Sequence, residues 1–431
     1  MKLWDKGQPR DQKIDQFTVG MDRTLDLLIA PYDVQASKAH AAMLAHVGLI
    51  TLEESQALIK SLTHIGESIE AGEFVIEDSF EDVHSKIEYL LTQELGETGK
   101  KIHAARSRND QVLVACQLYL KEELEAIRSE VLALFDLLMD LAERHKNTLM
   151  PGYTHLQVAM PSSFGLWFSA YAEGLVDDLY LAHAAYKTTD QNPLGSAAGY
   201  GSSFPIDREM TTRELGFSTL KYNVVAAQMG RGKTEKAVGY ALASLGGTLG
   251  RLAMDICLYM GQDFGFISFP DQLTTGSSIM PHKKNPDVFE LIRGKSALLQ
   301  ALPNTITLLT NNLPSGYHRE YQLLKEVLFP AIANLKSCLD MMRFGLKDIQ
   351  ISAQITDQPK YDYLFSVDTL NELVLQGMPF RDAYKSLGAD IAQGTYAPKR
   401  DINHTHIGSI GAPGFEQIKA KMQRASDWSN N

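Results

Sequence analysis

Apolar residues recur along the chain at alternating intervals of three and four positions, the spacing that places side chains on one face of a helix. Three such series are long, and they lie within about 118–145, 238–256 and 328–346. Their members are Leu120, Leu124, Ile127, Val131, Leu134, Leu138 and Leu141; Val238, Leu242, Leu245, Leu249, Leu252 and Ile256; and Leu328, Ile332, Leu335, Leu339, Met342 and Leu346. Series of this length predict long helices that pack nearly parallel in a bundle.

Two further stretches, about 162–187 and 287–311, are apolar on more than one side and predict helices that are buried on all sides. Strand patterns are sparse, and no spacing typical of a doubly wound sheet is present. The triplet GYG at 199–201 does not continue into GxGxxG, so a dinucleotide site is not expected. The pattern therefore predicts an all-α fold.

Breaks in the helical pattern divide the chain into three predicted domains. We expect an N-terminal helical domain over 1–105, a central long-helix domain over 106–355 and a small C-terminal helical domain over 356–431. A chain of 431 residues also suggests about three domains at roughly 150 residues each.

Composition excludes several classes of protein. Hydrophobic residues make up 44% and charged residues 22%, which excludes wholesale disorder. The formal net charge of -11 argues against a general nucleic-acid or membrane-surface role. Three widely spaced cysteines fit a reducing, cytoplasmic compartment, and no signal peptide or run of 18 apolar residues is expected to direct the chain to a membrane. The spacing of His404 and His406 fits no zinc finger, so no metal site is expected.

Polar, Gly-containing interruptions between the long helices are the expected places for chemistry. In the first, Ser107 and Asp110 have the spacing of a capping box, and Arg106 and Arg108 lie beside a helix N-terminus that favours anions. Taken alone, a capped helix with solvated arginines is the simpler interpretation. The second interruption, 151–157, contains a lone histidine, which is more often structural than catalytic.

The third interruption, 274–287, is the most informative. Pro286 is predicted as the first residue of a helix and Asn285 as its N-cap. Lys283 and Lys284 precede that N-terminus and would make, with the helix dipole, a receptor for a carboxylate or phosphate. The small residues before them suit a closing lid, and Glu290 could orient a base. A capped loop with surface lysines is the simpler alternative.

A fourth polar stretch, 317–325, places Gln322 and Lys325 on one helix face. That face could hold a polar substrate, although such a face is more often solvated.

Together, these stretches resemble the fumarase/aspartase superfamily and, within it, the argininosuccinate lyases. The third interruption matches the superfamily signature GSSxMPxKxNP at every fixed position. Segments similar to the lyases in particular are RSRNDQV (106–112), PGYTHLQ (151–157), LPSGYHREYQLLKE (313–326) and GMPFRDAY (377–384). The resemblance covers nearly the whole chain in the same order.

The resemblance implies a fold of three helical domains and a homotetramer with a large common bundle. Each active site of such enzymes draws loops from three subunits. The implied reaction is the reversible β-elimination of argininosuccinate to arginine and fumarate, the last step of arginine biosynthesis. No cofactor, metal, nucleic acid or membrane is implied.

Carried over by the resemblance, Ser277 is the general base, and Lys283 and Asn285 hold the aci-carboxylate of the carbanion. His155 assists protonation of the departing guanidinium, and Glu290 orients His155. The implied substrate-binding residues are Asp82, Ser107, Arg108, Asn109, Thr154, Asn285, Tyr317, Gln322 and Lys325.

The chain departs from the family pattern in several places. His282 stands where these lyases commonly have Gln and is typical of adenylosuccinate lyases. Asp22 stands where the family has a serine that contacts the substrate. Arg231 is present, but the acidic residues that flank it in the family are absent. The sequence after about residue 396 also differs from the usual family ending. Two alternatives stay open: an adenylosuccinate lyase, and an oligomeric scaffold without activity, like a lens crystallin.

Overall fold

Helices make up most of the computed structural model, which describes residues 11–428. They are α1 (Gln12–Val19), α2 (Asp22–His46), α3 (Leu52–Glu70), α4 (Val83–Leu95), α5 (Glu97–Lys100), α6 (Arg108–Arg144), α7 (Phe164–Thr189), α8 (Arg208–Glu214), α9 (Val224–Met229), α10 (Lys233–Met260), α11 (Asp287–Leu309), α12 (Leu323–Leu346), α13 (Ser366–Leu375), α14 (Phe380–Gln393) and α15 (Phe415–Ser426). The predicted all-α fold is confirmed.

Strands are few and short in the described residues, and they form three two-stranded pairs. The antiparallel hairpin pairs β1 (Leu149–Thr154) with β2 (Gln157–Ser163). A parallel pair joins β3 (Gln191–Asn192) to β4 (Thr219–Leu220), and an antiparallel pair joins β5 (Ile267–Ser268) to β6 (Gln350–Ile351).

The three apolar series lie on α6, α10 and α12, as the periodicity predicts. Every member of the three series is buried, with 1% or less of its surface exposed. Removing an aliphatic side chain from water stabilises a fold by about 1.5–3 kcal/mol. These series therefore form the apolar faces that hold the long helices in place.

The prediction that 287–311 is buried on all sides is wrong for the single chain. Helix α11 buries Ile292 and Ile306, but Leu291 and Leu298 are 66% and 71% exposed. Because these two leucines are seven residues apart, they lie on the same face of the helix. One apolar face of α11 is thus covered within the chain and the other is not.

The described chain divides into two compact units, each assembled from three segments. The first unit takes the chain up to Ile127, Leu181–Ser244 and Leu298–Leu335. The second takes Arg128–Tyr180, Leu245–Ala297 and the chain from Lys336 on. The division into three consecutive domains stays a prediction.

One helical stretch of the described chain, Val224–Met260, is long and apolar enough to cross a membrane. Half of its most apolar window is buried inside the protein, and it carries charged residues such as Arg231 and Asp255. Core helices of soluble proteins have the same length and composition, and the buried series on α10 indicates a core helix here.

Replacing Gly165 in α7 with Ala should destabilise the fold by roughly 2 kcal/mol, as expected for overpacking against backbone. A Cβ at Gly165 would lie 2.6 Å from Cα of Lys146 and 2.9 Å from the carbonyl oxygen of Ala142. The matched control is Gly388→Ala in α14, where nothing lies within 4 Å of the added carbon. Urea denaturation of both variants checks this: the control should gain about 0.5–1 kcal/mol, the helix preference of Ala over Gly. Equal stability of the two variants would contradict the packing.

Candidate active site

The first unit contains a cavity of about 50 Å³ whose wall is dense in charge. It is lined by Asp22, Asp26, Glu81, Asp82, His84, Arg108, Val112, Arg231, Tyr317, Arg319, Gln322 and Lys325. Five of the predicted substrate-binding residues are therefore brought together: Asp82, Arg108, Tyr317, Gln322 and Lys325. A wall with four carboxylates and four cationic groups suits a ligand that carries both signs of charge.

Asp82 links the start of α4 to the start of α6. Its Oδ1 accepts a hydrogen bond from the backbone N–H of Ser85 and another from its hydroxyl, both at 2.8 Å, so it caps α4. The guanidinium of Arg108 donates to the same oxygen at 2.8 Å and to the Ser85 hydroxyl at 3.1 Å. Burial by itself would raise the pKa of Asp82, but Arg108, His84 and Ser85 outweigh it and lower that pKa. Asp82 is therefore held as a carboxylate.

Ser107 and Asp110 cap α6, as their spacing predicts, although the Ser107 hydroxyl accepts the N–H of Asn109 rather than that of Asp110. The Ser107 hydroxyl accepts the N–H of Asn109 at 3.3 Å, and the Asp110 carboxylate accepts the N–H of Ser107 at 2.9 Å. The other oxygen of Asp110 accepts the N–H groups of Gly195 and Ala197 at 3.0 and 2.9 Å. Asp110 is fully buried, so it joins the start of α6 to a distant loop.

Gln322 and Lys325, expected on the substrate, are already engaged by the chain itself. The Gln322 amide donates to the carbonyl oxygens of Thr18 and Val19 at 3.1 and 2.9 Å. The Lys325 ammonium lies 2.7 Å from Asp22 and 2.5 Å from Asp26. Burial alone would lower the pKa of Lys325, but the two carboxylates raise it, so the ammonium stays charged.

A buried pair of Asp33 and His84 adjoins the cavity. Nδ1 of His84 lies 2.9 Å from Oδ1 of Asp33, and the Gln111 amide donates to the same oxygen at 3.0 Å. Burial by itself would raise the pKa of Asp33, but His84, Arg106 and Gln111 outweigh it and lower that pKa. A carboxylate in this position fixes the orientation of the imidazole.

The predicted catalytic residues lie in the second unit. Ser277 is on the loop that precedes α11, where its hydroxyl accepts the N–H groups of Ile279 and Met280 at 3.3 and 3.2 Å. Thr275 pairs with Asn285 through backbone hydrogen bonds of 3.2 and 2.8 Å and closes the base of the loop. The loop above this base is mostly exposed, with Ile279 at 83%.

Helix α11 begins slightly later than predicted. The first helical carbonyl to accept a bond is that of Pro286, which takes the N–H of Glu290 at 3.0 Å, so Pro286 stands at the N-cap and Asn285 does not. The reason is that the backbone of Asn285 is already paired with Thr275. Lys283 is exposed near this N-terminus, whereas Lys284 forms an ion pair with Asp271.

His155 is at the tip of the β1–β2 hairpin, exposed beside Thr154. Thr154 pairs with Gln157, so His155 and Leu156 form a two-residue turn. Both have positive φ, 54° and 58°, a conformation that suits Asn or Gly and costs other residues about 1–2 kcal/mol each. Backbone strain of this kind is commonly retained at functional sites.

Glu290 does not orient His155 within the single chain. Its carboxylate lies 3.8 Å from Arg293, one turn along α11, and among residues 11–428 no residue hydrogen-bonds the His155 side chain. Orientation of His155 by Glu290 stays a prediction.

Several cavity residues are not among those expected from the sequence: Asp26, Glu81, His84 and Arg319. Asp26 follows Asp22 by one helical turn, so the two carboxylates lie on the same face of α2. Glu81 lies 2.9 Å from Arg319. The residues that flank each of them in the sequence give no sign of this ion pair.

Comparisons with known proteins agree with this fold. A family model described as lyase matches residues 6–300. The chain is 54% identical over 429 residues to the argininosuccinate lyase of Phocaeicola vulgatus, covering 100% of this chain and 96% of that protein. It is 40% identical over 384 residues to the argininosuccinate lyase of Thermotoga neapolitana, covering 89% and 96%. The solved structure of EDDS lyase in complex with formate has a TM-score of 0.76 at 22% identity, covering 98% of this chain and 90% of that one, which shows the fold alone.

Replacing Leu156 with Gly should stabilise the protein by about 1 kcal/mol, because Gly adopts the left-handed conformation without a Cβ clash. Thermal denaturation measures the change. The control is Val158→Gly in the adjoining strand, which should lose stability because Gly weakens strands. A loss in Leu156→Gly as large as in the control would contradict the turn geometry.

Replacing Asp22 with Asn should stabilise the protein near neutral pH. Burial, with Asp26 nearby, raises the pKa of Asp22 to about 6, above its unfolded value of about 3.9. The folded state therefore keeps a proton that the unfolded state releases as pH rises from about 4 to about 6, and stability falls over that range. The variant should gain about 1–3 kcal/mol near pH 7 and almost nothing near pH 4. Urea denaturation at both pH values checks this, and a gain independent of pH would contradict it.

Proposed function

We propose that this protein is an argininosuccinate lyase. The chain belongs to the lyase family of the fumarase/aspartase superfamily. It would eliminate arginine from argininosuccinate and release fumarate, and it would also run the reverse addition. The observation that carries this proposal is the end-to-end similarity to proteins of that name, which includes the loops around Ser277 and His155.

The charges of the cavity suit the proposed substrate. Argininosuccinate carries three carboxylates, an α-ammonium and a guanidinium, so it needs both acidic and basic partners. Arg108 and Arg319 could face carboxylates, while Asp22 and Asp82 could face cationic groups.

In the proposed elimination, Ser277 removes a proton from the carbon beside a carboxylate of the succinyl group. The electron pair moves into that carboxylate, and the resulting aci-carboxylate is held by Lys283 and Asn285. The pair then forms the double bond of fumarate as the carbon–nitrogen bond breaks. The departing guanidine nitrogen takes a proton, with His155 assisting, and leaves as part of arginine.

Serine is a weak base, and each pKa unit by which it must be shifted corresponds to about 1.36 kcal/mol. The N–H groups of Ile279 and Met280 point to the Ser277 oxygen and would stabilise a serinate. The exposed ammonium of Lys283 could approach when the loop closes. These are the groups that could lower the pKa of Ser277 in a closed site.

A homotetramer is part of the proposal. The uncovered face of α11, with Leu291 and Leu298, supports an interface between copies, because exposed apolar faces of this kind mark association surfaces. The exposed loop tip at Ile279 and the exposed His155 would then complete sites to which neighbouring copies contribute. We place the enzyme in the cytoplasm, and the proposed reaction needs no cofactor.

His282 favours one alternative, an adenylosuccinate lyase, since histidine at this loop position is typical of those enzymes. A crystallin-like scaffold without turnover is the other. Both predict no release of fumarate from argininosuccinate.

The test follows the ultraviolet absorbance of fumarate with argininosuccinate and adenylosuccinate as separate substrates. We expect release from argininosuccinate alone; release only from adenylosuccinate, or from neither, would overturn the proposal.

The role of Ser277 is tested by Ser277→Ala, which should lower kcat by about a hundredfold to ten-thousandfold, the usual contribution of a general base. The matched control is Ser278→Ala at the exposed neighbouring position, which should keep most of the activity. Size-exclusion chromatography establishes that both variants keep the assembly of the wild type. A fully active Ser277→Ala would refute the role of this serine.

A further inference from the structure

The cavity wall contains one ammonium group between two carboxylates. Asp22 and Asp26 are one turn apart on α2, and both lie within 2.7 Å of the Lys325 ammonium. The three side chains are at least nine-tenths buried. With both carboxylates ionised, the group carries one uncompensated negative charge.

The other two carboxylates of the cavity wall have their own cations, because Asp82 pairs with Arg108 and Glu81 with Arg319. The remaining cation of the wall, Arg231, pairs with Glu235. Within the wall, the excess negative charge is therefore confined to the pair on α2. Burying an unpaired charge is costly, so this position favours a cation supplied from outside the chain.

The two carboxylates differ in what they can still accept. Both oxygens of Asp26 are engaged, Oδ1 by Lys325 and Oδ2 by the N–H of Val83 at 3.2 Å. Oδ1 of Asp22 lies 2.7 Å from the Lys325 ammonium, but this buried oxygen accepts no hydrogen bond of good geometry in the described chain. Asp22 is thus the carboxylate with an acceptor to spare.

His84 provides an independent indication of a ligand. It lines the same cavity, is 2% exposed, and its Nε2 has no hydrogen-bond partner in the described chain. Because ionised Asp33 can only accept at Nδ1, a proton of His84 is placed on Nδ1, and Nε2 is left without a hydrogen-bond partner. A buried ring nitrogen without a partner calls for a polar group on a ligand.

We propose that Asp22 binds the α-ammonium group of the amino-acid part of the substrate, in the cavity that the unpartnered Nε2 of His84 also lines. A primary ammonium is compact, cationic and carries three donors, so it satisfies both the excess negative charge and the free acceptor of Asp22. This rests on the proposed function, in which arginine is the amino-acid part. Asp22 would then select ligands with a free α-amino group.

The test measures binding of L-arginine and of δ-guanidinovalerate, which has the same carboxylate and guanidinium but lacks the α-ammonium. Isothermal titration calorimetry on the full wild-type chain should give at least about tenfold tighter binding of L-arginine, since a hydrogen bond to a charged group contributes this much or more. In Asp22→Asn the preference should fall below about threefold, because a neutral amide loses the charge that recognises the ammonium.

Glu81→Gln is the matched control. It removes the same charge from the wall of the same cavity, but Glu81 is already paired with Arg319. The preference for L-arginine should stay at the wild-type value in this variant. A general electrostatic effect would lower it as much as Asp22→Asn does, and that result would overturn the proposal.

Two other results would also overturn it: a wild-type chain that binds both ligands equally, or a folded Asp22→Asn that keeps the full preference. Asp22→Ser gives a second neutral variant if the Asn variant does not fold, and circular dichroism establishes folding of each. Turnover of argininosuccinate by the wild type is measured in parallel. Absence of turnover contradicts the proposed function, whereas turnover with an unchanged preference in Asp22→Asn contradicts only the role of Asp22.

Discussion

Burial of the apolar series on α6, α10 and α12 is the constraint on which the rest of the structure depends. The buried seams of these helices consist of apolar side chains such as Ile127, Leu249 and Leu335, each with 1% or less of its surface exposed. Since the helices are fixed along their length, the polar segments that connect them are fixed at their ends. A short loop between such ends can carry strain or unpaired polar groups that a free loop would relax.

The charged side chains that line the cavity follow a second rule, which is that most of them have a partner of opposite sign. Arg108 with Asp82 and Arg231 with Glu235 follow this rule, and the pKa of Asp82 is lowered as a result. The exception is the group around Lys325, where two carboxylates share one ammonium. An exception inside a well-paired network is a more specific indication of ligand binding than charge density alone.

The fold could be predicted from the sequence because helix periodicity is a local property. The three apolar series and the capping of α6 by Ser107 and Asp110 both follow from residues within a few turns of each other, and both are present in the structure. The family expected from the motifs is also confirmed. The exposed face of α11 was not predictable, because a helix that is apolar on several sides does not indicate which side its own chain covers.

Much of the site depends on partners that are distant in the sequence, and these could not be predicted. Lys325 contacts Asp22 and Asp26 about three hundred positions away, and Glu81 contacts Arg319 at a separation of 238 positions. The start of α11 was displaced because Asn285 pairs with Thr275 across the loop. Asp110 has a related consequence: since one carboxylate holds both the first turn of α6 and the backbone at Gly195 and Ala197, a shift of either segment pulls on the other. Motion of the first turn of α6, which carries Arg108, would thereby be transmitted to the loop at Gly195 and Ala197, which does not line the cavity.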